Sequence, residues 1–227
     1  MYFGHFAIGV ALKACQPKVS VWPIMIGVGL IDILNGIFII AGLDIVTPDL
    51  KALPYLYFDL TYIDWDHSLL MAIIWSSLFG LLFWRKSRRT AIVAFIAAIS
   101  HFIVDIPLHN SDMAIFPTSQ IKIGMGLWGS HPYNSWVLEI LFSIILLGYG
   151  YVKSRKEGIN ILPQLVFITL VIIQMSPWLS PMKIVAKLGN PYDYLLHGVL
   201  VSVGFIAPSL ILILLYKRSY SRVKAIN

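Results

Sequence analysis

Between Ser100 and Asp112 the chain reads Ser-His-Phe-Ile-Val-Asp-Ile-Pro-Leu-His-Asn-Ser-Asp, so imidazoles and carboxylates recur every three or four residues at the end of an apolar run. On an α-helix, four residues turn about 40° past a full circle, which stacks His101 over Asp105 and carries His109 roughly 80° round from the first. Two imidazoles and a carboxylate on one stripe make a ligand set for a divalent cation. Pro107 removes a helical N–H and disfavours helical geometry at Ile106. The sequence therefore predicts a helix that ends or kinks before His109, with His101 and Asp105 as the firmer pair.

The same residue types appear elsewhere in apolar surroundings: His5, Asp32 with Asn35 one turn on, His67 after Asp66, and Glu139. A charged side chain in hydrocarbon costs ~2.5 to 3.5 kcal/mol on insertion scales, so a group of them implies mutual compensation. Hydrogen bonds between helices supply it in one reading, with His101 and Asp105 as a structural pair. A divalent ion supplies it better, because it neutralises the acids and takes the imidazole nitrogens as ligands. Imidazole and carboxylate without thiolate suit zinc, with manganese or iron as alternatives, and not calcium. The expected metal ligands are His5, Asp32, His67, His101 and Asp105, with His109 and Glu139 as acid–base catalysts or extra ligands. An open position would hold a water whose pKa falls toward ~7, a hydrolytic nucleophile. Ser68, beside His67, is a weaker nucleophile candidate. Asp66 reads as a helix cap, His131 as solvated, His197 as packing, and Asp44, Asp49, Asp59 and Asp64 as a solvated outer surface.

These residues must be carried by membrane helices. Of 227 residues, 58% are hydrophobic and 12% charged, against about 25% charged in an ordinary soluble domain. The net charge of +6 does not point to nucleic acid, because thirteen of the seventeen Lys and Arg fall in four clusters flanking apolar runs. These are Lys13 and Lys18; Arg85, Lys86, Arg88 and Arg89; Lys153, Arg155 and Lys156; and Lys217, Arg218, Arg222 and Lys224. The one cysteine, Cys15, excludes an intrachain disulfide. Met1 to Cys15 reads as mature sequence rather than a signal peptide, having no basic leader before its apolar stretch.

The pattern predicts an all-α polytopic transmembrane bundle forming a single domain over 1–227. It has about six spans, at 19–43, 66–84, 90–108, 134–152, 159–177 and 192–216, preceded by a half-helix at 2–14 too short to cross alone. The stretch 44–65 reads as an interfacial loop with an aromatic belt. In the loop 110–133, Gly124 and Gly126 suggest a tight turn. With the basic clusters cytoplasmic, the C-terminus is cytoplasmic and the loops 44–65, 110–133 and 178–191 lie outside. Counting residues from each basic cluster at about 1.5 Å apiece puts Asp32, His67, His101, Asp105 and Glu139 roughly 18 to 27 Å up, so polar residues from separate spans converge at one depth.

Together, Gly4-His5, Gly29-Leu30-Ile31-Asp32, Asp66-His67-Ser68-Leu69 and the Ser-His-x-x-x-Asp helix Ser100 to Asp105 resemble a known pattern. It is that of the bacterial membrane-bound metal-dependent hydrolases, a family related to the LexA-regulated inner-membrane hydrolases. The resemblance covers about the first 112 residues and implies a bacterial inner-membrane location and hydrolysis of a phosphoester or lipid-like substrate. The chain carries one acid, Asp32, where the family's second motif has an acidic run, so the resemblance does not by itself carry a two-ion centre. Two other readings use the same residues: a transporter or ion and proton pathway, and a non-catalytic membrane protein with a structural metal. Partners expected are the lipid bilayer and a lipid-like substrate, and no nucleic acid.

Overall fold

The computed structural model describes residues 1–226, with side chains through 221. Among the described residues the chain forms α1 (Phe3–Cys15), α2 (Val21–Ile40), β1 (Ile45–Pro48), β2 (Phe58–Tyr62), α3 (Asp64–His67), α4 (Leu69–Leu81), α5 (Arg88–Asp105), α6 (Leu127–Ser130), α7 (Pro132–Lys156), α8 (Leu162–Gln174), α9 (Met182–Val185) and α10 (Tyr192–Ile226). Arg222 and Lys224 of the last basic cluster lie on α10 beyond the described side chains.

Three helices are long and apolar enough to cross a membrane: Val21–Ile40, Pro132–Lys156 and Tyr192–Ser221. Of the six spans expected, these three meet that length and composition among the described residues. The span expected at 66–84 breaks at Ser68, which is extended (φ −90°, ψ 151°), leaving a 13-residue α4. α8 is also 13 residues, about 20 Å of helix.

The half-helix α1 is not peripheral. All its residues but Leu12 and Cys15 are buried, packed among α2, α5, α7 and α8. Enclosure by protein satisfies so short an apolar helix, since it never has to reach both faces of a bilayer. At its end Lys13 turns inward and donates to the carbonyls of Pro17 (2.8 Å) and Val19 (2.6 Å), capping the turn.

The residue pattern is reversed relative to a soluble bundle. On α7 the buried stripe is Ser135, Glu139, Ser143, Leu147, Gly150 and Ser154, while Val137, Leu138, Leu141, Ile144 and Ile145 face outward. Small and hydroxyl residues on the buried face allow close helix approach, as membrane bundles require. α2 and α10 make the tightest crossing: a Cβ on Gly36 would lie 2.2 Å from the Gly198 carbonyl, and one on Gly198 would lie 2.6 Å from that of Gly36. Only hydrogens fit there.

The stretch 44–65 is more than a loop. β1 and β2 pair antiparallel with Ile45 opposite Tyr62 and Pro48 opposite Phe58. Tyr55, Tyr57 and Phe58 are buried, so they are core and not the expected belt, whereas Trp65, Trp84 and Trp178 are exposed. Asp44 and Asp64 are buried too, against the expectation of a solvated surface. Asp64 accepts from Thr118 N (2.9 Å) and pairs with Lys122 (3.1 Å), tying the two long loops together.

Candidate metal centre

α5 ends at Asp105, and Pro107 stops the regular helix as expected. Yet His109 N still donates to Asp105 O at 3.0 Å, so the chain completes another turn. Its free carbonyls are met by the loop that follows. Met125, Leu127, Trp128 and Gly126 donate their N–H groups to the carbonyls of Ile106, Pro107, Leu108 and His109 at 2.7 to 3.3 Å. Helix C-termini need such partners. The lacing requires the two glycines: a Cβ on Gly124 would lie 1.9 Å from Asn110 O, and Gly126 has φ +78°. The glycine pair therefore has a structural task, which is to hold His109 in reach of His101 and Asp105.

α3 brings His67 to the same place. The first N–H groups of α4, on Leu69 and Leu70, are satisfied by Ala114 O and Ile115 O at 2.9 Å, with no side-chain cap. Asp66, expected as that cap, instead receives a hydrogen bond from His67 Nδ1 at 2.8 Å.

Six side chains then meet. His5, His101 and Asp105 form one group able to hold a metal ion; Asp32, His67 and His101 a second; His67, Asp105 and His109 a third. Around Asp105 stand His5 Nε2 (3.4 Å), His101 Nε2 (3.2 Å), His67 Nε2 (3.9 Å) and His109 Nε2 (3.8 Å). Asp32 faces His67 Nε2 through one oxygen (3.6 Å) and His101 Nε2 through the other (3.4 Å). The amino group of Met1 also donates to Asp105.

These atoms face one another without being aimed at one another. Both nitrogens of His5, Nε2 of His67 and of His101, and Oδ2 of Asp105 are buried and make no hydrogen bond. Leaving such groups unpaired costs about 1 to 3 kcal/mol apiece, and native proteins do not accumulate that in one place without a compensating partner. The group could hold a metal ion, and a cation there would supply it.

The far side of each ring is fixed. His67 Nδ1 is held by Asp66, His101 Nδ1 lies 2.8 Å from the carbonyl of Val28, and His109 Nδ1 lies 3.1 Å from Asp112. A hydrogen-bonded Nδ1 leaves Nε2 as the lone-pair nitrogen and makes it a better ligand. His5 has no such partner; its ring stacks on that of His101 at 3.7 Å between centroids. Behind Asp66 stands Asp44, whose carboxyl is pushed up to about 8 by burial and then by the charge of Asp66.

The structure thus brings together His5, Asp32, His67, His101, Asp105 and His109. Glu139 is not among them. Its carboxylate accepts from Tyr2 N (2.7 Å), Gly4 N (3.0 Å) and Tyr55 Oη (2.6 Å), so it is the N-terminal anchor of α1. Ser68 is buried in the backbone break between α3 and α4. Asp66 escaped sequence reasoning because neighbours in sequence do not face each other on a helix, and the break at Ser68 was not foreseen. The carbonyl of Val28 leaves no sequence signal at all.

Asp32, His67 and His109 also line a cavity of about 350 Å³ between α2, α8 and α10. The remaining ligands are sealed, with His5, His101 and Asp105 fully buried. The open side of the cluster is therefore the cavity. Compared with known proteins, the chain matches no family model, no curated protein and no solved structure.

Proposed function

We propose that the chain is a membrane-embedded, metal-dependent hydrolase of phosphoester or lipid-like substrates, with zinc as the preferred ion. The observation that carries this reading is the arrangement around Asp32 and Asp105. Each carboxylate stands between imidazole Nε2 atoms from different elements, and three of those nitrogens have no hydrogen-bond partner. His101 Nε2 serves one ion only, because its Nδ1 is engaged. Two ions would divide the ligands into His5 with His101 and His67 with His109, with Asp32 and Asp105 standing between the halves. The set would suit two ions with a single acid on α2, because Asp105 offers the second carboxylate. Such a centre supplies Lewis acidity, a water deprotonated near neutrality, and a clamp on attacking and leaving oxygens. Water would add to phosphorus as the ester P–O bond breaks, the proton it gives up passing to the departing oxygen.

Two features support catalysis over transport. The cluster opens on one side only, to the cavity. The core toward the basic loops, including Phe6, Val10, Met25, Val28 and Leu212, is apolar and buried. A transported ion needs a polar path through it. The spans, the bacterial inner membrane and the cytoplasmic C-terminus belong to the same proposal, with α1, α4, α5 and α8 completing the bundle around α2, α7 and α10.

The test is metal content by mass spectrometry of detergent-purified protein, followed by turnover of phosphatidylglycerol and of bis(p-nitrophenyl) phosphate. The wild type is expected to carry about two ions per chain and to hydrolyse phosphodiester, and His101→Ala to lose both. Absence of metal from the wild type overturns the centre. Metal without hydrolysis of either compound overturns the enzyme.

A further inference from the structure

We propose that the cavity beside the metal centre is the seat of one long hydrocarbon chain of the substrate, which makes that substrate a membrane lipid entering sideways from the bilayer. The inference rests on the hydrolase reading for the word substrate, but the cavity's chemistry stands by itself. Its walls are Phe167 and Val171 of α8 and Val203, Ala207 and Ile211 of α10, and its ligand-bearing end is formed by Asp32, His67 and His109. An apolar tube ending in cation ligands fits an amphiphile and disfavours a sugar, a nucleotide or a peptide.

Direction and length agree. The lining on α10 runs from His197 to Ile211, fourteen residues or about 21 Å of helix. That exceeds one leaflet, about half of a hydrocarbon core ~30 Å thick. The tube follows the axis of a helix long enough to cross the membrane, which is the direction in which lipid chains lie. Its metal end is the end away from the basic residues at 217–218, where a head group in the opposite leaflet would be.

The side wall is open. Val203 is 50% and Ile211 39% exposed although both line the cavity, so the gap between α8 and α10 faces the surface that lipid tails cover. Pro208 shapes this wall. It lacks the N–H that would bond the Gly204 carbonyl, and Tyr2 Oη donates to that carbonyl instead at 2.6 Å. At the polar end His197 is buried on Phe58, 4.2 Å between ring centroids, with its Nδ1 unpartnered. It packs as the sequence leads one to expect, and its free Nδ1 is in addition the group this proposal assigns to an ester oxygen. Beyond Leu56, Leu60 and Trp128, which line both spaces, a second cavity of about 160 Å³ is bordered by Asp49, Lys51, Asn110 and Asp112. It offers polar room for the head group.

The experiment uses the full chain in phosphatidylcholine vesicles containing phosphatidylglycerol with a diazirine on one acyl chain. Irradiation is expected to mark peptides of α8 and of 203–211 on α10, and Ala207→Trp to reduce that adduct at least about tenfold while leaving metal content unchanged. The same variant is expected to lose phosphatidylglycerol turnover to a like degree and to keep that of bis(p-nitrophenyl) phosphate, which has no chain. Ala207→Leu, a smaller plug on the same exposed position, should give an intermediate loss. Adducts spread over the outward faces of α4 and α7 and insensitive to Ala207→Trp overturn the chain seat. A wild type that binds the lipid probe in the cavity but hydrolyses neither compound overturns the hydrolase reading and leaves the chain seat standing.

Discussion

His67 shows how much of a metal site lies outside its ligands. Its Nε2 points at the cluster because Asp66 holds Nδ1 at 2.8 Å. Partners of this kind are worth about 10- to 100-fold in metal affinity. Asp66→Ala is therefore expected to weaken zinc binding by that factor, measured by competition with a chromophoric chelator, while the helical content stays that of the wild type. An unchanged affinity would mean that the ring is held by packing alone. Residue by residue, the members of the cluster were legible: His5, Asp32, His67, His101 and Asp105 stand out because each is an ionisable group in apolar sequence. Glu139 stood out for the same reason and has another task, since burial beside free N–H groups explains a carboxylate as fully as a metal does. Spacing cannot tell these apart.

At the scale of elements, the site depends on close contacts that hold α1, α2 and α10 in register. Gly36 and Gly198 let α2 and α10 touch backbone to backbone, one turn from Asp32. Gly36→Ala forces the helices apart, at a cost of about 1 to 3 kcal/mol for overpacking. It is expected to lower the melting temperature in detergent and to loosen the metal, whereas alanine at Gly148, where a Cβ meets nothing within 4 Å, should do neither. Helix positions were foreseen within a few residues for α2, α5, α7 and the start of α10. The break at Ser68 and the hairpin β1–β2 were not. Both rest on backbone hydrogen bonds to segments distant in sequence: Leu69 and Leu70 to Ala114 and Ile115, and Ile45 with Tyr62. Hydropathy averages over such breaks.

For the whole molecule, outward apolar faces and an inward polar cluster specify the solvent as lipid. The proposed orientation rests on the basic loops. In a Cys15→Ser background, Arg88→Cys is expected to react with an impermeant maleimide only when the cytoplasmic side is opened, and Asp59→Cys to react from outside in intact cells. The opposite pattern would invert the topology and put the metal centre toward the cytoplasm.

Composition and periodicity by themselves determined that this is a helical membrane protein and which ionisable residues had to be compensated within it. Both follow from the cost of polar groups in hydrocarbon, which every residue feels locally. Which of those residues compensate one another was decided only by tertiary structure. His109 joins the cluster because a glycine-bearing loop completes the turn after Pro107, Glu139 stays out of it because its carboxylate anchors the start of α1, and Asp105 lies at its centre because imidazoles from α1, α3 and α5 close around it. Convergence of distant segments is a property of packing, and packing is not written in the spacing of any one of them.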